Sequence, residues 1–243
     1  MLSIKNLSVQ IENKHILKNI NLTFELGKNY CILGKNGSGK SSLAMTIMGH
    51  PKYQIKKGEC EIQNGKEKIN LLDLDPNERA KLGIFLAFQH IPEIKGVKVF
   101  EFLRSIYDAQ NDSHTSFIQF KKIIEPFLLE LNIDKEFLRR DLNVGFSGGE
   151  RRKLEILQLK LLKPKYIFLD EIDSGLDVDA FKSVANMIKE LNNKNNCFII
   201  ITHYFTILDY IQVDRVYVLD KGELKKEGLA EIAHEIKEKG FNK

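Results

Sequence analysis

Nine residues, Gly34-Lys35-Asn36-Gly37-Ser38-Gly39-Lys40-Ser41-Ser42, carry the clearest chemistry in this chain. The first eight satisfy the pattern G-x-x-x-x-G-K-[ST]. Glycines without Cβ atoms let successive backbone N–H groups curl around a polyphosphate. Lys40 adds a point charge for the β- and γ-phosphates, and the Ser41 hydroxyl is a ligand suited to Mg²⁺. The apolar run "NYCIL" (Asn29 to Leu33) precedes the loop and the helix-like "KSSLAMTIMG" follows it, ending at Gly49.

A second set of groups lies far downstream. In "YIFLDEIDSGLD" an apolar run from Tyr166 to Leu169 delivers Asp170 and Glu171 at its end, where open α/β sheets place ligands. Neighbouring side chains on a strand point in opposite directions, so the two carboxylates are free to do different work. Asp170 suits a Mg²⁺ ion held through water, and Glu171 suits orienting or deprotonating an attacking water. Taken alone, an acidic pair closing a strand is also a common solvated cap. His203, just past "CFIIIT", is placed to donate to a γ-phosphate and to steady Glu171. Gln89 closes "IFLAF" and is placed to sense the γ-phosphate, the Mg²⁺ or the water; its structural alternative is an ordinary polar cap. Finally, Ser147-Gly148-Gly149 opens the helix-like "ERRKLEILQLKLL". Bare N–H groups at such a helix start attract phosphate.

The elements that must hold these groups follow from hydropathy. "LSIKNLSVQI" and "HILKNINLTFEL" alternate like half-buried antiparallel strands, and "GECEIQ" adds another. "IFLAFQ", "YIFLDE", "CFIIIT" and "VDRVYVLD" are apolar strands, the last three separated by the helical segments "DVDAFKSVANMIKEL" and "HYFTILDYI". That alternation implies a parallel sheet covered by helices. "LDKGEL" is a turn into a last strand. Between about Pro92 and Lys163 the pattern is helical, with Leu154, Leu157 and Leu161 on one face of the segment after Gly149. The expected fold is therefore α/β: a core with a mixed or parallel sheet and an antiparallel β region from 1–91 and 164–243, and a helical subdomain at about 92–163.

Composition narrows the class. The chain has 243 residues, 43% of them hydrophobic, enough for a substantial core. A net charge of +4 without long runs of one sign gives no sign of nucleic-acid binding or a membrane tether. The longest apolar runs are too short to span a bilayer, and "MLSIKNLSVQIENK" reads as a strand, not a leader. Cys31, Cys60 and Cys197 form no C-x-x-C pair and read as small core residues in a reducing compartment. A soluble, cytoplasmic protein is expected.

Taken in order, the glycine loop, Gln89, "SGGE", "YIFLDE", "SGLD" and His203 resemble the ATP-binding cassette (ABC) ATPases of the P-loop NTPase class over nearly the whole chain. The resemblance implies a Mg²⁺-dependent ATPase in which two copies meet head to tail. Ser147, Gly148 and Gly149 of one copy would then cap ATP held by the loop of the other, and Ser174–Asp177 would run along the seam. Gln89, His203, Glu171 and Lys40 would act on the phosphates and water, with Ser41, Gln89 and Asp170 at the metal. The blocks "GHPKYQIKKGE", "LDPNERAKLGIFLAFQHIPEIKGV", "NVGFSGGERRK" and "LDEIDSGLDVDA" further resemble the SufC branch, soluble ATPases of iron–sulfur cluster assembly. Phe146, Glu150 and Gly175 agree with that branch. It implies SufB- and SufD-like scaffold partners. The resemblance also implies a stacking aromatic for adenine, but "VQIENKH" offers only His15, with Ile11 an apolar candidate. Arg151 or Arg152 is expected to pair with Glu171 in the resting monomer.

Overall fold

The computed structural model describes residues 1–65, 67–88, 92–171, 178–203, 208–232 and 236. Gln89, the segment Ser174–Asp177 and residues 204–207 of the helix expected after His203 lie outside the described residues. The chain divides into two compact units, Met1–Gln89 with Lys165–Lys243, and His90–Pro164.

In the first unit, β1 (Leu2–Ile11) and β2 (Lys14–Phe24) pair antiparallel, and β3 (Asn29–Leu33) leads into α1 (Lys40–Met48). β4 (Gln54–Asn64) and β5 (Glu67–Asn70) follow, then α2 (Pro76–Lys81) and β6 (Ile84–Ala87). β1, β2, β4 and β5 form one antiparallel sheet in the order β2-β1-β4-β5. "GECEIQ" thus belongs to a longer strand than its alternation suggested, and β5 pairs along its end.

The second unit holds β7 (Ile94–Lys98), α3 (Val99–Asn111), α4 (Phe117–Glu130), β8 (Asp141–Leu142) and α5 (Gly148–Leu162). Its own core gathers Phe100, Leu103, Phe120, Ile124, Leu154, Leu157 and Leu161. Beside these helices, which the pattern of 92–163 displayed, stands the pair β7 and β8, antiparallel with Ile94 opposite Leu142. Its partners stand more than forty residues apart, so no local periodicity could display the pairing.

The chain then returns to the first unit with β9 (Tyr166–Asp170), α6 (Val178–Leu191), β10 (Cys197–Thr202), β11 (Arg215–Asp220) and β12 (Glu223–Gly228). The second sheet runs β12-β11-β3-β10-β9-β6, with β12 antiparallel and the other pairings parallel. β3, β9 and β10 are buried at every position, as strands covered on both faces must be. Between the sheets, Phe24 meets Tyr30, Tyr217 and Phe168 edge-on at 5.1–5.9 Å. Cys31, Cys60 and Cys197 are buried and unbridged. No helix among the described residues is long and apolar enough to cross a membrane.

Candidate active site

Strand register assembles the site. β10 sits between β3 and β9, pairing Thr202 with Leu33 and Ile201 with Asp170. Three chain segments therefore leave the same carboxyl edge of the sheet side by side: the glycine loop after Leu33, Glu171 after β9, and His203 after β10. Residues more than a hundred positions apart become neighbours because parallel strands all end on one side.

The loop is a tight cradle. A Cβ at Gly34 would stand 2.3 Å from the Leu219 carbonyl and 2.4 Å from Ser38 Oγ, so no other residue fits there. Ser38 N donates to Lys35 O at 3.1 Å and Gly222 N donates to Ser38 O at 2.9 Å, pinning the turn to the loop between β11 and β12. Gly39 caps α1 at φ 105°, a conformation that costs a residue with a side chain. Ser38 Oγ is buried without a hydrogen-bond partner. A buried orphan hydroxyl is costly, and an oxyanion on the loop would satisfy it. Lys35, Asn36 and Gly37 are exposed at the mouth.

Lys40 is only 3% exposed. Its Nζ donates to Gly34 O at 2.9 Å and Lys35 O at 3.2 Å, and lies 3.8 Å from Glu171 Oε1. Loop carbonyls hold the ammonium aimed across the cradle. Ser41 Oγ donates to Asp170 Oδ1 at 3.0 Å, with Asp170 3% exposed. A hydroxyl and a carboxylate side by side form a hard oxygen set that fits Mg²⁺. Ser42, one residue on, gives its carbonyl to Thr46 Oγ1 at 2.7 Å and continues the helix.

Glu171 occupies the left-handed region at φ 45°, its N–H donating to Ile201 O at 2.9 Å. A non-glycine residue there marks strain of the kind stored at functional sites. Its Oε1 lies 3.2 Å from His203 Nδ1. An ionised carboxylate only accepts, so this contact places the imidazole proton on Nδ1.

In the second unit, Ser147 caps α5. Its hydroxyl accepts from Glu150 N at 3.2 Å and its N–H donates to Glu150 Oε2 at 2.8 Å. Arg140 pairs with Glu150 and lies over the Phe146 ring at 4.4 Å. The Ser147 N–H first, then Arg140, hold the Glu150 carboxyl below the ordinary range. Ser147, Gly148 and Gly149 are exposed, and a Cβ on either glycine meets no described atom within 4 Å. Sequence reasoning missed Arg140, because its partner ten residues on becomes visible only once the capping box is built. Arg152 donates to Glu155 Oε2 at 2.6 Å inside its own helix. Lys40 and His203 are among the contacts of Glu171.

Fold and loop together define a P-loop nucleotide-binding cassette. A family model described as "ABC transporter" matches residues 17–174. The chain is 44% identical over 246 residues to "Probable ATP-dependent transporter ycf16" of Cyanophora paradoxa, spanning 100% of this chain and 93% of that protein. It is 42% identical to "Vegetative protein 296" of Bacillus subtilis (strain 168), spanning 99% and 92%. Among solved structures, the ATP-binding cassette MJ0796, a post-hydrolysis dimer bound to ADP and Pi, superposes with a TM-score of 0.76 at 23% identity, over 95% of this chain and 99% of that one; this likeness shows the fold. The chain belongs to the ABC transporter family of ATP-binding cassettes. It is an ATPase of that family, using ATP with Mg²⁺.

Proposed function

We propose that this ATPase is the SufC-type subunit of a soluble, cytoplasmic iron–sulfur cluster assembly complex. In that reading, ATP drives two copies head to tail and so rearranges SufB- and SufD-like scaffold partners. The observation that supports the pairing is the exposed start of α5, where Ser147, Gly148 and Gly149 lie on the surface and a Cβ on either glycine would meet open space. The assignment to the Suf system rests on the sequence blocks around Gly49, Asp75, Phe146 and Asp173.

The N–H groups of residues 34 to 39, with Ser38 Oγ, bind the phosphates, and Lys40 exchanges its contact with Glu171 for phosphate oxygens. Ser41 and Asp170 would hold Mg²⁺, which would supply positive charge against the phosphates. The Glu171 carboxylate accepts a proton from the attacking water. His203 orients that carboxylate through Nδ1; donating Nε2–H to the γ-phosphate as well requires the imidazolium. Gln89 is assigned to the same γ-phosphate from the sequence, and Ser147, Gly148 and Gly149 of the second copy complete the cage. ATP shifts the pairing equilibrium only by binding the closed pair more tightly.

A second reading, the ATPase subunit of a membrane transporter, is favoured by the printed name of the Cyanophora relative, an ATP-dependent transporter. An untagged pull-down from the native cell separates the two. Soluble scaffold proteins carrying the cluster ligands support the first reading; an integral membrane permease replaces it with the second.

A further inference from the structure

Helix α1 carries Lys40 and Ser41 in its first turn but is only nine residues long. At 1.5 Å per residue that is about 14 Å. A tilt of about 5° at its far end therefore swings the first turn by about 1 Å, a misplacement that typically costs an enzyme about a hundredfold in rate. What fixes the far end matters to the chemistry.

Besides core packing by Ile47 and Met48, one side chain of α2 fastens the far end. Arg79, in α2, is 4% exposed. Its Nη1 donates to Thr46 O at 2.9 Å and to Ile47 O at 3.1 Å, and its Nε donates to Leu74 O at 2.9 Å. Two of these carbonyls belong to the last turn of α1, which lacks helical partners of its own. The third lies in the segment entering α2. The guanidinium thus sits at the negative end of the α1 dipole and binds α1 to the segment leading into β6. Thr46 O also accepts from Gly49 N, and Met45 O from His50 N, both at 3.0 Å. Gly49 has φ 83°, and a Cβ there would stand 2.9 Å from Arg79 Cζ, so the turn is shaped around the guanidinium. No salt bridge to Arg79 is found among the described residues; Asp73, Asp75 and Cys60 act on it only from a distance. A buried arginine whose three described bonds all go to backbone carbonyls serves geometry more than charge pairing. Lysine could not reproduce its planar fork.

We propose that Arg79 is a positioning residue for ATP hydrolysis: it clamps the carboxyl end of α1 so that Ser41 and Lys40 are set against Asp170 and the phosphates. Backbone N–H groups of the loop, which starts at the end of β3, supply phosphate contacts besides Lys40, and the long Lys40 side chain can still reach the phosphates after a shift of about 1 Å. Loosening the clamp therefore lowers the chemical step more than ATP binding, and raises the Mg²⁺ requirement through Ser41.

The test compares Arg79→Lys, Arg79→Gln and Gly49→Ala with the parent, the last leaving Arg79 in place but displacing its guanidinium. Steady-state phosphate release is measured over ATP and Mg²⁺ concentrations, with thermal unfolding alongside. The expected result in each folded variant is a kcat lower by about 10- to 100-fold, with KM for ATP within about threefold and a several-fold higher Mg²⁺ requirement. An unchanged kcat and Mg²⁺ requirement in folded variants overturns the proposal. So does a loss of kcat matched by the loss of folded protein, or the failure of all three variants to fold, since either outcome makes Arg79 a folding residue only. The inference rests on the assignment of Ser41 to the metal. Ser41→Ala measured in parallel separates the two: if it leaves the Mg²⁺ requirement unchanged, that assignment fails, not the clamp.

Discussion

Replacing Glu171 by Gln separates binding from chemistry. The substitution keeps the shape of a side chain that is 12% exposed but removes its charge and most of its basicity. Glu171 Oε1 lies 3.8 Å from Lys40 Nζ. At an effective dielectric near 20 that separation corresponds to roughly 4 kcal/mol of gross attraction. Desolvation of both ions opposes it, leaving a net value on the order of 1 kcal/mol. Lys40 must give up that contact to meet phosphate, so removing the carboxylate tightens ATP binding by about fivefold, the equivalent of 1 kcal/mol. Turnover moves the other way. A positioned general base contributes about 10²–10⁴ in rate, and the amide cannot take the proton from water. Equilibrium binding of a fluorescent ATP analogue and steady-state phosphate release, measured on one preparation, give both numbers. Hydrolysis at the parent rate would refute the assignment of Glu171. Binding weakened together with turnover would refute the competition between the carboxylate and phosphate for Lys40.

Three further outcomes follow from the same geometry. Lys40→Ala weakens ATP binding by about 10- to 100-fold, the range for loss of a charged hydrogen bond, and lowers turnover as well; retention of either property contradicts the placement of its ammonium. Gly149→Val meets no described neighbour within 4 Å, so the thermal midpoint stays near the parent's while ATP-induced pairing is lost and turnover falls about 10²-fold; size-exclusion chromatography with ATP checks the pairing, and a fully active variant would sink the head-to-tail cage. Burial raises the Cys60 thiol from its ordinary 9.0 to about 12 and the Tyr30 phenol from 10.0 to about 12. The unfolded chain ionises both groups first, so their contribution to stability is whole below about pH 9 and is lost as pH climbs toward 12. Between pH 8 and 10.5 the loss is on the order of 2 kcal/mol, roughly 5 °C in thermal midpoint; a flat midpoint across that range contradicts the burial of these groups.

The chemistry of the loop was legible in the sequence because its requirements are local. Glycine at 34 and 39, lysine at 40 and a hydroxyl at 41 are demanded by backbone curvature and by the charge of a phosphate, whatever surrounds them. Apolar runs ending in Asp170 and His203 were legible for the same reason, since strands covered on both faces need continuous hydrophobic residues. Leu154, Leu157 and Leu161 showed their face by helical spacing, and they form part of the core of the second unit. Tertiary structure alone decided which of these segments met. The order β12-β11-β3-β10-β9-β6 places the loop, Glu171 and His203 at one edge, and hydropathy cannot rank equally apolar strands. It decided that Arg152 is engaged by Glu155 while Lys40 and His203 meet Glu171. It also set Arg79 against the end of α1, and paired β7 with β8 across two helices. Each of these depends on groups distant along the chain approaching within a few ångströms. A linear pattern records what a residue can do; only the closed backbone selects the partner with which it does it.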